Sequence, residues 1–225
     1  MISEQSLLPL SFEESFDRHN FHVGESNVAA VRLLQTALQQ KVAFLLIHGS
    51  SGCGKSHLAR VVAKQLFCTA QHPSQLNIAQ DAVNIVVDQL DDIADDRDGQ
   101  ETLVHCINRI RFAEQGRLVV FSQTHPGRWL AEQQLPDCIS RINGLFQCGE
   151  IAEPDDALLR QILLKLADDQ RFSLPNSVIN YWLARMPRSY AAAQGLIQLL
   201  DQITLARQTK VSVVTARQAL EELQA

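Results

Sequence analysis

The sequence predicts an α/β protein: a three-layer parallel sheet followed by a small all-helical lid domain. Three observations predict it. Residues 42–56 (VAFLLIHGSSGCGKS) pass abruptly from an apolar run into a glycine-bounded loop ending in lysine and serine. Apolar strand-like runs then alternate with helical periods to about residue 150, the pattern of a parallel sheet covered on both faces. From Glu153 onward no segment has the length and flanks of a buried strand.

The elements follow in order. Residues 1–11 (MISEQSLLPLS) carry a proline and no helical period, and read as an extended tail. Residues 12–152 form the α/β domain and residues 153–225 the helical one. Residues 27–40 place apolar side chains at 28, 31, 34 and 38, one stripe of a helix entering the first strand, 43–47. Residues 57–66 are the next helix, and 66–70 a short second strand. Pro73 breaks the polar stretch 71–82. Residues 83–87 (VNIVV) are a buried strand ending in Asp88, 101–115 a helix, 118–122 (LVVFS) a fourth strand and 145–148 a short fifth. A helix from Pro154-Asp155-Asp156 to about Gln170 has acidic residues in its first turn and apolar ones at 158, 159, 162, 163 and 166. Helices over 177–185, 189–209 and 214–223 complete the chain.

The loop fits G-x-x-x-x-G-K-[ST] at Gly49, Gly54, Lys55 and Ser56, between a strand and a helix as that motif requires. Glycines let backbone N–H groups wrap a phosphate chain. Lys55 supplies charge for the β- and γ-phosphates, and the Ser56 hydroxyl is placed to ligate Mg²⁺. The intervening Ser51, Gly52 and Cys53, with His57 behind them, complete the cradle for ATP or ADP. A P-loop body with a helical lid behind it is the AAA+ layout. Asp88, at the end of its strand, is the Walker-B carboxylate for Mg²⁺. Gln89 follows where active ATPases put an acid; it can position a water but cannot take its proton, so intrinsic hydrolysis should be slow. Asp91 and Asp92, a little further on, are candidates to substitute for that acid, but read as exposed loop carboxylates. Ser122-Gln123 closes the fourth strand where a γ-phosphate sensor sits. Arg141, late in a helix before the last strand, suits an arginine finger offered in trans. Arg188, with Arg185 as rival, is the cation that would reach the nucleotide from the lid.

The 225 residues carry a net charge of −5, which gives no basic field for coating DNA. Five cysteines without a C-x-x-C pair read as free thiols rather than a disulfide frame or zinc site. No apolar run approaches the roughly 18 residues of a membrane span, so a cytoplasmic protein is expected. His48, His57 and His125 lack metal-ligand spacing, and no Ser-His-Asp or Cys-His set is apparent.

Several motifs resemble the DnaA-type AAA+ family. Phe16-Asp17, Phe21-His22-Val23-Gly24 and Ser26-Asn27 are similar to its F-D-x-F-x-x-G-x-S-N segment, which implies that Phe21 and Val23 line an adenine pocket. Lys55-Ser56-His57-Leu58 resembles its GK[ST]HL, Ser140-Arg141 its S-R finger motif, and Lys210-Val211-Ser212-Val213 part of its lid. The chain ends where an initiator would add a helix-turn-helix domain, so a regulator rather than a full initiator is expected. Gln5, Leu7, Leu8, Pro9 and Leu10 resemble the Q-L-[SD]-L-P-L peptide that docks on the sliding clamp of DNA polymerase III, with Ser6 and Leu7 exchanged. Gln89 departs from the initiator pattern, Ser56 and Asp88 lie closer together than in an initiator, and Ala191 falls where the family carries its sensor arginine. The resemblance implies a replisome-associated regulator whose partners are the initiator DnaA, the clamp and another copy of itself, without membrane or sequence-specific DNA contact. A self-assembling ATPase of the helicase-loader or initiator-paralogue type is the alternative.

Overall fold

The computed structural model describes residues 23–76, 83–112, 116–129 and 135–224. Phe21 and the clamp-like residues Gln5, Leu7, Leu8, Pro9 and Leu10 lie outside the described residues. Two compact units are present. One comprises Ala30–His48 and Lys55–Glu150; the other comprises Ile151–Ala225 with His22–Ala29 and Gly49–Gly54.

In the first unit, helix α1 (Val28–Gln39) leads to strand β1 (Phe44–Gly49). Helix α2 (Lys55–Gln65) and strand β2 (Ala70–Gln71) follow, then β3 (Asn84–Val87), α3 (Arg97–Phe112), β4 (Arg117–Ser122), α4 (Pro136–Leu145) and β5 (Gln147–Ile151). The strands form one five-stranded sheet in the order β2-β3-β4-β1-β5. Pairing is parallel, with Phe44 opposite Leu118, His48 opposite Ser122, and Val87 opposite Val120. That register brings Asp88 and Ser122 to the same end of the sheet as the exit from β1, the carboxyl end where open α/β sheets hold ligands.

The strands read as continuous apolar runs because both faces are covered. Leu46, Ile85, Val87, Leu118 and Val120 pack with Leu103, Ile107, Ile110 and Ile142 on one face. Leu45, Ile47, Val86, Val119 and Phe121 alternate with them and are equally buried. The second strand is only two residues long and begins later than its sequence suggests. Asn84 Nδ2 donates to Leu66 O at 3.1 Å there, so polar bonding carries the segment before β2. The fifth strand also lies later than 145–148, because Leu145 still belongs to α4.

In the second unit, α5 (Asp156–Asp169), α6 (Asn176–Leu183), α7 (Tyr190–Arg207) and α8 (Val213–Gln224) close on Leu159, Leu163, Val178, Trp182, Leu196 and Leu200. The Asp155 carboxylate caps α5 by accepting from Leu158 N at 2.7 Å, and Ser189 Oγ caps α7 by accepting from Ala192 N at 3.1 Å. Trp182 Nε1 donates to Ala216 O at 2.9 Å, which satisfies the one polar atom of the largest core side chain. Among the described residues no helix is long and apolar enough to cross a membrane.

Candidate functional site

The glycine loop begins as β1 ends. A Cβ on Gly49 would stand 2.3 Å from the Ile151 carbonyl oxygen, so only glycine fits. Gly52 and Gly54 hold φ of +75° and +102°, a region that penalises any side chain. The tight turn of the cradle is therefore built into the chain. Gly52 O accepts from Tyr190 N at 2.9 Å, and a Cβ at 52 would meet Ser189 Cβ at 2.7 Å and Ala191 Cβ at 3.7 Å. Ala191, matched by resemblance to the sensor position, thus packs on the loop with a methyl group and no charge.

Helix α2 starts at Lys55, two residues earlier than its apolar period suggests. Lys55 and Ser56 consequently sit in its first turn, where backbone N–H groups lack intrahelical acceptors and favour an anion. Lys55 is largely buried, and Ser51, Cys53 and His57 complete the stretch around it. Val23, which the resemblance assigns to the base pocket, is 48% exposed.

At the strand ends, Asp88 N donates to Gln71 O at 2.9 Å while Asp88 Oδ1 accepts from Gln89 N at 3.0 Å. Gln89 is exposed with φ +59° and opens a 3-10 turn, Leu90–Ile93. A hard-oxygen pair of Ser56 and Asp88 fits Mg²⁺ by donor chemistry.

Of the two acidic residues after Gln89, Asp92 is an exposed carboxylate as expected and Asp91 is not. Asp91 is half-buried and accepts from Gln123 N, from Thr124 N at 3.1 Å and from Thr124 Oγ1 at 3.1 Å. Burial opposes its anion, yet the Gln123 and Thr124 N–H groups, with the Ser122 and Thr124 hydroxyls, outweigh it and hold the carboxyl below its ordinary range. Ser122 is fully buried; its hydroxyl lies near enough to favour the Asp91 anion but makes no hydrogen bond of ordinary geometry. Asp92 is exposed and pairs with His72 Nε2 at 2.6 Å. His72 Nδ1 is also 2.7 Å from Ser74 Oγ, so the fold does assemble a serine, a histidine and an aspartate. Nδ1 accepts the Ser74 N–H too, which makes the set the cap of the 3-10 turn Pro73–Gln75.

Arg141 on α4 donates from Nε to Asp137 Oδ2 at 2.8 Å and from Nη1 to Asn108 Oδ1 at 2.6 Å. Arg188 donates to Pro154 O at 3.1 Å and pairs with Asp156 at 2.8 Å, within the second unit. Arg185 lies over the Tyr181 ring, 4.5 Å from its centre. His48 and His125 meet edge to face at 5.6 Å, and Cys148 Sγ is 3.4 Å from His125 Nε2. Burial lowers the pKa of both histidines and raises that of the Cys148 thiol. Burial pushes Cys106 up to about 11 and Cys138 up to about 12, as for inert core thiols. All five cysteines are free. Among the described residues no group of three His, Cys, Asp or Glu side chains could hold a metal ion. Asn108 and Asp137 escape sequence reasoning, which names Asp91 only as a loop carboxylate. Only Asp137 leaves a trace, its spacing of one helical turn from Arg141.

No family model matches the chain. The chromosomal replication initiator protein DnaA of Tropheryma whipplei (strain Twist) is 23% identical, over 92% of this chain and 48% of DnaA, and the strain TW08/27 protein gives the same values. The chain thus spans about half the length of the curated relatives it matches. Domain III of Thermotoga maritima DnaA superposes with a TM-score of 0.72 at 19% identity, covering 90% of this chain and 94% of that one. A replication initiator DnaA bound to AMPPCP and single-stranded DNA gives 0.70 at 19% identity, over 84% and 66%. A Thermotoga maritima RuvB variant gives 0.67 at 17% identity, over 90% and 70%. Fold and loop define the class: a P-loop protein of AAA+ architecture. Within that class, the chain is similar in sequence to DnaA over nearly its whole length and shares the fold of DnaA domain III.

Proposed function

We propose that this chain binds ADP or ATP and regulates replication initiation by promoting hydrolysis of ATP held by DnaA, the role of a regulatory inactivator such as Hda. The observation that carries the reading is the loop itself. Gly49, Gly52 and Gly54 keep a phosphate cradle that no other residue would fit, while Gln89 stands exposed where a proton acceptor belongs. A chain that holds nucleotide well and consumes it poorly suits a switch better than a motor. Ser51, Gly52, Cys53, Lys55, Ser56 and His57 would hold the phosphates, Ser56 and Asp88 Mg²⁺, and Phe21 and Val23 the base. Ser122 and Gln89 would contact the water near the γ-phosphate, and Arg188 would serve the lid.

Arg141 is the finger in this reading, offered to the partner's triphosphate, and residues 5–10 tether the chain to a DNA-loaded clamp. The test is turnover of DnaA-bound ATP with and without loaded clamp. Arg141→Ala should abolish the stimulation, by about 10³-fold where a finger operates fully, and keep nucleotide binding. Deleting residues 1–10 should abolish clamp pull-down. The other reading is a self-assembling ATPase of the helicase-loader or initiator-paralogue type, for which the glycine loop ending in Lys55 and Ser56 is also complete. Brisk turnover by this protein alone, with ATP-dependent rings or filaments, would establish that one instead.

A further inference from the structure

Arg141 does not hang free from α4. Its Nε is fixed by Asp137 Oδ2 at 2.8 Å, one helical turn earlier, and its Nη1 by Asn108 Oδ1 at 2.6 Å on α3. Nη2 has no hydrogen bond among the described residues, and the side chain is 25% exposed. A guanidinium presents its five N–H groups in one plane, so anchoring Nε and Nη1 sets that plane and leaves the Nη2 edge for an incoming anion. The support beneath it is stiff. Gln100, fully buried on α3, accepts from Leu135 N at 2.7 Å just before α4 begins, and donates to Ile93 O and Ala94 O. Helix α3 therefore holds α4 at its start through Gln100 and at its middle through Asn108.

The choice of partners is informative. Among the described residues Asp137 is the single carboxylate on Arg141, and it is exposed to solvent screening. The second acceptor is a neutral amide, so the head is oriented without being neutralised. A purely structural tie between two helices gains nothing from that restraint, whereas a phosphate donor needs both its charge and a free edge. We propose that Asp137 and Asn108 are positioning residues that hold Arg141 preset as a donor to the triphosphate of a partner subunit. The inference rests on the finger reading above.

The test uses the full chain, DnaA carrying ATP, and a DNA-loaded clamp. Asn108→Ala and Asp137→Ala should each lower the saturating rate about tenfold and leave the half-saturating concentration within about twofold, because orientation and not docking is lost. Asp137→Asn retains an acceptor oxygen and should stay within about threefold of the native rate. In an Arg141→Ala background either alanine should cost nothing further. The exposed position of Asp137 keeps its variants folded, checked by an unchanged melting temperature, should Asn108→Ala prove unstable. Native rates in both alanine variants, with Arg141→Ala inactive, would overturn the positioning role and spare the finger. Full activity of Arg141→Ala would overturn both.

Discussion

The two units spend their polar groups differently. At the carboxyl ends of β3 and β4 in the first, Asp88, Asp91, Asp92 and Ser122 crowd together, and backbone N–H groups are captured by side chains from another strand's loop. In the second, α5 to α8 close on aliphatic side chains, and the fully buried Trp182 makes one bond to Ala216 O. A sheet that exits all its strands toward one edge concentrates charge and loose backbone there, where a ligand can use them. A helix bundle satisfies its backbone internally and needs polar groups only at its caps.

The sharpest way to break this contrast is to damage the apolar unit. Trp182→Ala should cost about 3–5 kcal/mol. Hydrogen exchange should show protection falling across Ile151–Ala225 while β1, β3 and β4 keep theirs. Equal loss in both units would mean that they unfold as one.

Damage to the polar edge should be smaller and pH-dependent. Asp91→Ala removes acceptors for three hydrogen bonds and should cost about 1.5–3 kcal/mol in chemical denaturation at pH 7. The folded-state carboxyl lies below its ordinary value, so its stabilisation is complete above about pH 4 and disappears as the pH falls through the folded value. Native and variant stabilities should therefore converge on acidification; a gap that persists at low pH would show that packing, not the anion, is responsible.

Gly52→Ala tests the loop. The left-handed φ and the approach of Ser189 predict a loss of about 1–2 kcal/mol, and the rise in melting temperature on adding ADP should shrink with it. The smallest effect belongs to Arg188→Ala. Its pair with Asp156 is largely exposed and should be worth about 0.2–1 kcal/mol by thermal melting. A much weaker response to ADP in that variant would place Arg188 at the nucleotide.

The sequence by itself determined the class of the protein. Gly49, Gly54, Lys55 and Ser56 are legible because the strand-to-helix loop motif that they fit has fixed residues at fixed spacing. The strands 43–47, 83–87 and 118–122 are legible because burial on both faces writes an unbroken apolar run. Tertiary structure alone decided what the acidic and basic side chains do. Asp91 looks like a surface residue until β4 places Gln123 and Thr124 against it, and Arg141 looks free until α3 brings Asn108 to its guanidinium. Those partners lie more than thirty positions away, and a polar side chain carries no periodic mark of the residue it will meet; only the packed sheet and helices supply that geometry.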